Sequence, residues 1–149
     1  MKHIALLLFI SLTLLRCKSS HLDKECQPVI DDFFKGIQEN RHMESITKLL
    51  SQNENINLKD SLTIDLENKF DIISTLSGKY IGNKLLLKRN IDDDIIIYSY
   101  LVKYEKKFYR YIFMFYNNGE KCVPYKFLFD NSIDVELEES LKLYLNNDF

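Results

Sequence analysis

The stretch IIIYSYLVKYEKKFYRYIFMFYN, Ile95 to Asn117, decides the fold. Its period is two. Ile96, Tyr98, Tyr100, Val102 and Tyr104 alternate with Ile95, Ile97, Ser99, Leu101 and Lys103. After a break near Glu105-Lys106, Tyr109, Tyr111, Phe113 and Phe115 alternate with Phe108, Arg110, Ile112 and Met114. Successive strand side chains point to opposite faces, so this pattern predicts two antiparallel strands joined by a tight turn. One face is almost wholly aromatic. The other is mixed.

The alternation extends outward in both directions. Upstream, KYIGNKLLLKR (Lys79 to Arg89) reads as a first strand, bent near Gly82-Asn83, with a turn at Asn90 to Asp94. Downstream, Asn117-Asn118-Gly119-Glu120 is a hairpin signal, and KCVPYKFLF (Lys121 to Phe129) is a fourth strand. Pro124 removes a ladder donor and marks that strand as an edge or a bulge. Strict parity assigns Val123, Tyr125, Phe127 and Phe129 to the aromatic face. It assigns Cys122, Pro124, Lys126 and Leu128 to the mixed face, away from any covering helix.

Before the strands the period is helical. Leu22, Cys26, Val29, Ile30, Phe33, Phe34 and Ile37 form one stripe, and Pro28 belongs in a first turn, so a regular helix is expected from about Cys26 or Gln27 to Asn40. Met43, Ile46, Leu49 and Leu50 mark a second helix. Leu66, Phe70, Ile73 and Leu76 mark a third, capped by Thr63 or Asp65 and stopped at Gly78. After the strands, Leu137, Leu141, Tyr144 and Leu145 predict a short C-terminal helix. The class is α+β: helices on one face of a four-stranded antiparallel meander. The aromatic face should lie under the helices. The mixed face is more apolar than solvation requires and is a candidate surface for a protein partner or a second copy.

The 149 residues suffice for one domain, and 46% apolar with 13% aromatic residues can fill a core. A formal charge of −2 provides no basic footprint for nucleic acid. The N-terminus reads differently from the rest. Ile4 to Leu15 is an uncharged apolar run of signal-peptide length, too short to span a bilayer as a helix. The segment LLRCKSS that follows resembles a bacterial lipoprotein signal, with Leu14 three before Cys17 and a polar tether after it. It departs from that pattern at Leu15 and Arg16. The expected division is a signal peptide over 1–16, a lipid-anchored Cys17 with tether over 17–25, and a single domain over 26–149. The protein then belongs on the envelope membrane, with free secretion as the alternative. Losing residues 1–16 takes Lys2 and Arg16 from the 20 basic residues and nothing from the 22 acidic ones, moving the formal charge from −2 to −4.

With Cys17 lipidated, Cys26 and Cys122 remain. They form either a disulfide across a long loop or two unpaired apolar thiols. The strand parity argues for the second.

The element order, with VIDDFFKGIQEN, STLSGKYIG and YSYLVKYEKKFYRYIFMFY, resembles the nuclear transport factor two-like (SnoaL-like) cone of the cystatin-like folds, and in particular its small tethered lipoproteins. The likeness spans about Cys26 to Phe129. It implies a cone-like sheet around an inner pocket, and some members of that superfamily are enzymes with an acid or base inside.

General-base chemistry needs a titratable group at the reacting atom. The inner strand face has tyrosines but no acid and no histidine. His3 and His21 fall in the signal and tether, which leaves His42. Asp92-Asp93-Asp94 lacks the spacing of a calcium loop, and no phosphate loop, dinucleotide fingerprint, zinc spacing or serine elbow is present. No metal or cofactor is expected. The sequence therefore favours a non-catalytic, membrane-tethered binding module. Its ligand candidates are Tyr98, Tyr100, Tyr111 and Tyr125, should their phenols reach a cavity. An enzyme acting on a small apolar substrate would have to use Asp31 or Asp32, His42 and Tyr100. An immunity or inhibitor protein against a secreted toxin would use the mixed face. There Lys103, Arg110 and Lys126 are either neighbours that meet an acidic partner or strand charges spaced for solubility, the second being the blander account.

Overall fold

A computed structural model describes residues 21–92 and 94–133. The expected signal peptide, Cys17 and the C-terminal helix beyond Ile133 lie outside the described residues. Three helices, α1 (His21–Gln38), α2 (His42–Ser51) and α3 (Ser61–Leu76), precede four strands. The strands are β1 (Tyr80–Asn90), β2 (Ile95–Tyr104), β3 (Phe108–Asn117) and β4 (Cys122–Asp130). They form one open antiparallel sheet in the order β1-β2-β3-β4. The class is α+β.

The stripe of α1 is buried from Leu22 through Cys26, Ile30, Phe33 and Phe34 to Ile37. The helix begins at His21, not near Cys26, and Pro28 lies inside it. The stripe explains this: Leu22 continues it and is buried, so packing holds the turn that Pro28 leaves without a donor. Residues 21–25, expected in the tether, thus belong to the folded domain. Asn40 ends the corner after α1 with φ +59°, a conformation asparagine tolerates, and the Arg41 N–H returns to the Gly36 carbonyl at 2.8 Å. At Gly36 the two helices cross closely, since a Cβ there would lie 2.0 Å from Ser45 Oγ.

The first turn of α3 is capped by Asp60, whose carboxylate accepts from the Leu62 N–H at 3.1 Å; neither Thr63 nor Asp65 has that role. Only Phe70 of its expected stripe is fully buried, and Leu76 is 69% exposed. Gly78 follows with φ +82°. The β2–β3 turn then locks onto this helix end through Lys106 N–H to the Ser77 carbonyl, 3.1 Å.

The β2–β3 ladder runs without interruption, pairing Ile96 with Phe115, Tyr98 with Phe113, Tyr100 with Tyr111 and Val102 with Tyr109. All eight are buried. Phe33 of α1 inserts between Phe113 (5.2 Å), Phe127 (5.4 Å) and Phe70 (5.7 Å). Phe70 in turn meets Tyr111 and Phe129 at 5.6 and 5.4 Å. These edge-to-face and tilted pairs suit the quadrupoles of the rings.

The β3–β4 ladder breaks the expected parity. Met114 pairs with Lys126 but Phe115 pairs with Pro124, so Tyr125 stands unpaired in a bulge. Everything before the bulge is shifted by one. Cys122 and Pro124 share the face of Asn117 and Phe115, whereas Val123 pairs with Tyr116. Cys122 therefore turns toward α1, against the parity reading, and is disulfide-bonded to Cys26 with 5.6 Å between Cα atoms. Tyr125 is not part of the inner face; it is 63% exposed.

Candidate functional site

The four tyrosines expected around a cavity are not brought together. Tyr98 donates to Asp23 of α1 at 2.7 Å, and Lys88 of β1 reaches the other oxygen of that carboxylate at 2.6 Å. Burial opposes the Asp23 charge, but the Lys88 and Tyr98 bonds outweigh it and hold the carboxyl below its ordinary range. Burial, with the bond to Asp23, raises the Tyr98 phenol. The Tyr100 hydroxyl accepts from Gln27 at 3.2 Å, and the same amide donates to Asp31 at 2.8 Å. Tyr111 lies in the middle of the core, its hydroxyl 3.0 Å from that of Tyr104, and burial raises it well above the ordinary phenol value. Tyr109 is 2.7 Å from Ser77 Oγ, which donates to the Ile73 carbonyl; the phenol is therefore the donor in that pair. Each inner hydroxyl thus has a partner within the domain, and aromatic rings occupy the space between sheet and helices.

The residues an enzyme would require are also dispersed. Asp31 stands beside Tyr100 through Gln27, but it is exposed on α1. Asp32 turns to α2 and pairs with Lys48 at 2.7 Å. His42 opens α2, buried, with no partner for Nε2 among the described residues; burial lowers its basicity against an opposing pull from Asp71 on α3. No group of acids, histidines and cysteines able to hold a metal occurs among the described residues. Asp92 Oδ1 instead caps its own turn, accepting from the N–H groups of Asp94 and Ile95 at 2.8 and 2.9 Å.

The mixed face is partly buried at Ile95, Ile97, Leu101, Ile112 and Met114. Lys103, across from Phe108, and Arg110, across from Leu101, are diagonal neighbours on it, while Lys126 stands apart. Arg110 lies across from Asp130, which accepts from Nε and Nη2 at 3.1 and 2.9 Å. Lys126 lies across from Met114, two pairs further along the same face.

A cleft of about 690 Å³ opens at the end of the sheet where the β1–β2 turn lies, lined from the mixed face and by inner-face Phe115. Ile95, Met114 and Tyr116 come from the sheet, Tyr125 from the bulge, and Asn53 to Ile56 from the α2–α3 loop. Tyr116 and Tyr125 meet edge to face, 6.2 Å apart at 90°. Asn53 fixes the loop wall, donating from Nδ2 to the Pro124 carbonyl at 2.7 Å. The opposite wall is fixed by the Asn117 N–H, which donates to the Asp94 carbonyl at 2.8 Å. A second groove, about 730 Å³, runs between α3 and β4. Parity reasoning missed the cleft because it carried Tyr125 inward; Pro124 was the available signal that the frame had to be reset there.

Comparison with protein-family models, with curated proteins and with solved structures found no match. Among the described residues no helix is long and apolar enough to cross a membrane.

Proposed function

We propose that the chain is a non-catalytic binding module held on a bacterial envelope membrane by a lipid on Cys17, with the mixed sheet face as its working surface. One observation carries this reading. The interior where a related enzyme would keep its acid and base is filled with rings whose hydroxyls are bonded within the domain, while an open cleft lies at the end of the sheet beside the β1–β2 turn. The export reading rests on Leu14 to Ser20 and accords with an oxidised Cys26–Cys122 pair. The likeness to the nuclear transport factor two-like lipoproteins, a cone-like curvature of the sheet and a C-terminal helix over Leu137 to Leu145 belong to the same proposal.

The test is fractionation of cells expressing the full chain, with intact mass of the recovered protein. Wild type should sediment with membranes carrying an acylated Cys17 as its first residue. Cys17→Ala should move to the soluble fraction. Membrane retention of Cys17→Ala, or an unmodified Cys17 in the wild type, overturns the anchor.

A further inference from the structure

We infer that the cleft between Tyr125 and the β1–β2 turn is a binding site for a small amphipathic organic cation, an amine or quaternary ammonium carrying an apolar group. This rests on the reading of the mixed face as a binding surface and names what that surface takes.

Size and lining come first. About 690 Å³ lies within the range of small-molecule sites, and Ile56, Ile91, Ile95, Met114, Tyr116 and Tyr125 make the lining predominantly apolar. An apolar body therefore fits. Charge decides the head group. Asp92 and Asp94 face the cleft, and among the described residues neither lysine, arginine nor histidine lines it. Lys126, next in sequence to Tyr125, lines the α3 groove instead. An anion would meet two carboxylates with no compensating cation among the described residues, whereas a cation would be drawn in.

The rings add a second attraction of the same sign. Aromatic faces carry negative quadrupoles, and a T-shaped pair leaves one face open beside its neighbour's edge. Tyr125 can serve here because the bulge removes it from the core, where its strand parity would have placed it. The walls are preorganised. Asp92 is held by its two turn bonds through Oδ1, the turn is anchored by Asn117, and the loop is anchored by Asn53 on Pro124. None of these anchors needs to break for a ligand to enter, so little ordering opposes binding.

The experiment uses the full chain in nonionic maltoside micelles and three probes with one apolar body: 2-phenylethylammonium, 2-phenylethanol and 3-phenylpropanoate. Methyl resonances of Ile56, Ile91, Ile95 and Met114 are followed during titration. The ammonium probe should shift them saturably and bind at least about fivefold more tightly than the alcohol, with the carboxylate weaker still. The preference should shrink with added salt. Asp92→Asn with Asp94→Asn keeps the turn, since an amide oxygen still accepts the two N–H groups, and should abolish the preference. Tyr125→Ala, at an exposed position, should weaken all three probes without unfolding the chain. Equal affinities, a preference for the carboxylate, shifts confined to other methyls or no shift at all would overturn the inference. A chain that is acylated and membrane-bound yet ignores the ammonium probe fails here alone. One that binds it while Cys17→Ala stays on the membrane fails only in its anchor.

Discussion

Cys26 on α1 and Cys122 on β4 are joined across the edge of the sheet, 96 residues apart in the chain, because the bulge at Tyr125 turns Cys122 toward the helix. The bond ties the first helix to the last described strand. Glu25 adds a second tie beside it, accepting from the Cys122 N–H at 3.2 Å. A loop of this length loses much of its unfolded-state freedom when closed.

Reduction, or Cys26→Ser with Cys122→Ser, should therefore lower stability by about 3–5 kcal/mol. Denaturant titration of oxidised and reduced protein measures it. Equal midpoints would show that the bond constrains nothing the fold does not already constrain. Inserting one residue between Pro124 and Phe127 should do comparable harm, because it turns either the cysteine or the phenylalanine to the wrong face.

Where α1 and α2 cross, Gly36 leaves room for Ser45, and a methyl at Gly36 would meet Ser45 Oγ at 2.0 Å and its Cβ at 3.2 Å. Ser45 cannot swing away freely, because its hydroxyl donates to the Arg41 carbonyl at 2.7 Å. Gly36→Ala should cost about 1–3 kcal/mol by overpacking, beyond the small gain in helix propensity. Adding Ser45→Gly should recover most of the loss at the crossing. If the double variant is no better than Gly36→Ala, close approach is not the reason for the glycine. Thermal melts of the three proteins decide it.

The parts that were readable share a property: one local rule operated without interruption. The β2–β3 ladder has no register shift from Lys103–Phe108 to Ile95–Tyr116, so alternation alone assigned every inner residue from Ile96 to Phe115. The stripe of α1, the stop at Asn40 and the left-handed Gly78 follow equally local stereochemistry. The errors lie where a second interaction competed. A bulge reset the parity at Pro124, the packing of Leu22 carried α1 past its proline, and Asp60 reached Leu62 before Thr63 or Asp65 could cap. The cleft was hidden for a further reason. It joins a turn, a bulge and a distant loop, and no periodicity relates Asn53 to Tyr125 or to Asp92.

The Asp23 carboxylate links three elements, holding Tyr98 of β2 and Lys88 of β1 to the start of α1. Its folded pKa is below the ordinary value of 3.8. A depressed carboxylate contributes stability that is present above the unfolded pKa and is lost as pH falls through the folded one. Asp23→Asn should thus cost about 2 kcal/mol at neutral pH, the scale of a hydrogen-bonded charge. The gap to wild type should close in the acid range below pH 3.8. Tyr98 titrates oppositely: its raised phenol contributes stability below pH 10 that is lost in alkali. Urea midpoints across pH for wild type and Asp23→Asn give the test, and a constant gap at all pH values would mean that the carboxylate's charge is not what binds the three elements.

His42 is buried at the first position of α2, and its Nε2 has no hydrogen-bond partner among the described residues. Burial favours the neutral ring, and the adjacent helix N-terminus disfavours a positive charge, while Asp71 pulls the other way without restoring the ordinary value. For a histidine with a lowered pKa, stability is full above its unfolded value of 6.5 and is lost as pH falls through the folded one. Protonation in mildly acidic solution should therefore lower the stability of the fold. His42→Leu removes both the titration and a buried nitrogen without a partner, and a buried polar group left unsatisfied costs about 1–3 kcal/mol. The variant should be at least as stable as wild type at neutral pH and clearly more stable near pH 5, with the mildly acidic part of the stability profile flattened. A variant that is less stable than wild type at both pH values would show that the imidazole is bonded in solution, and its ring would then have to be counted among the groups holding the helices together.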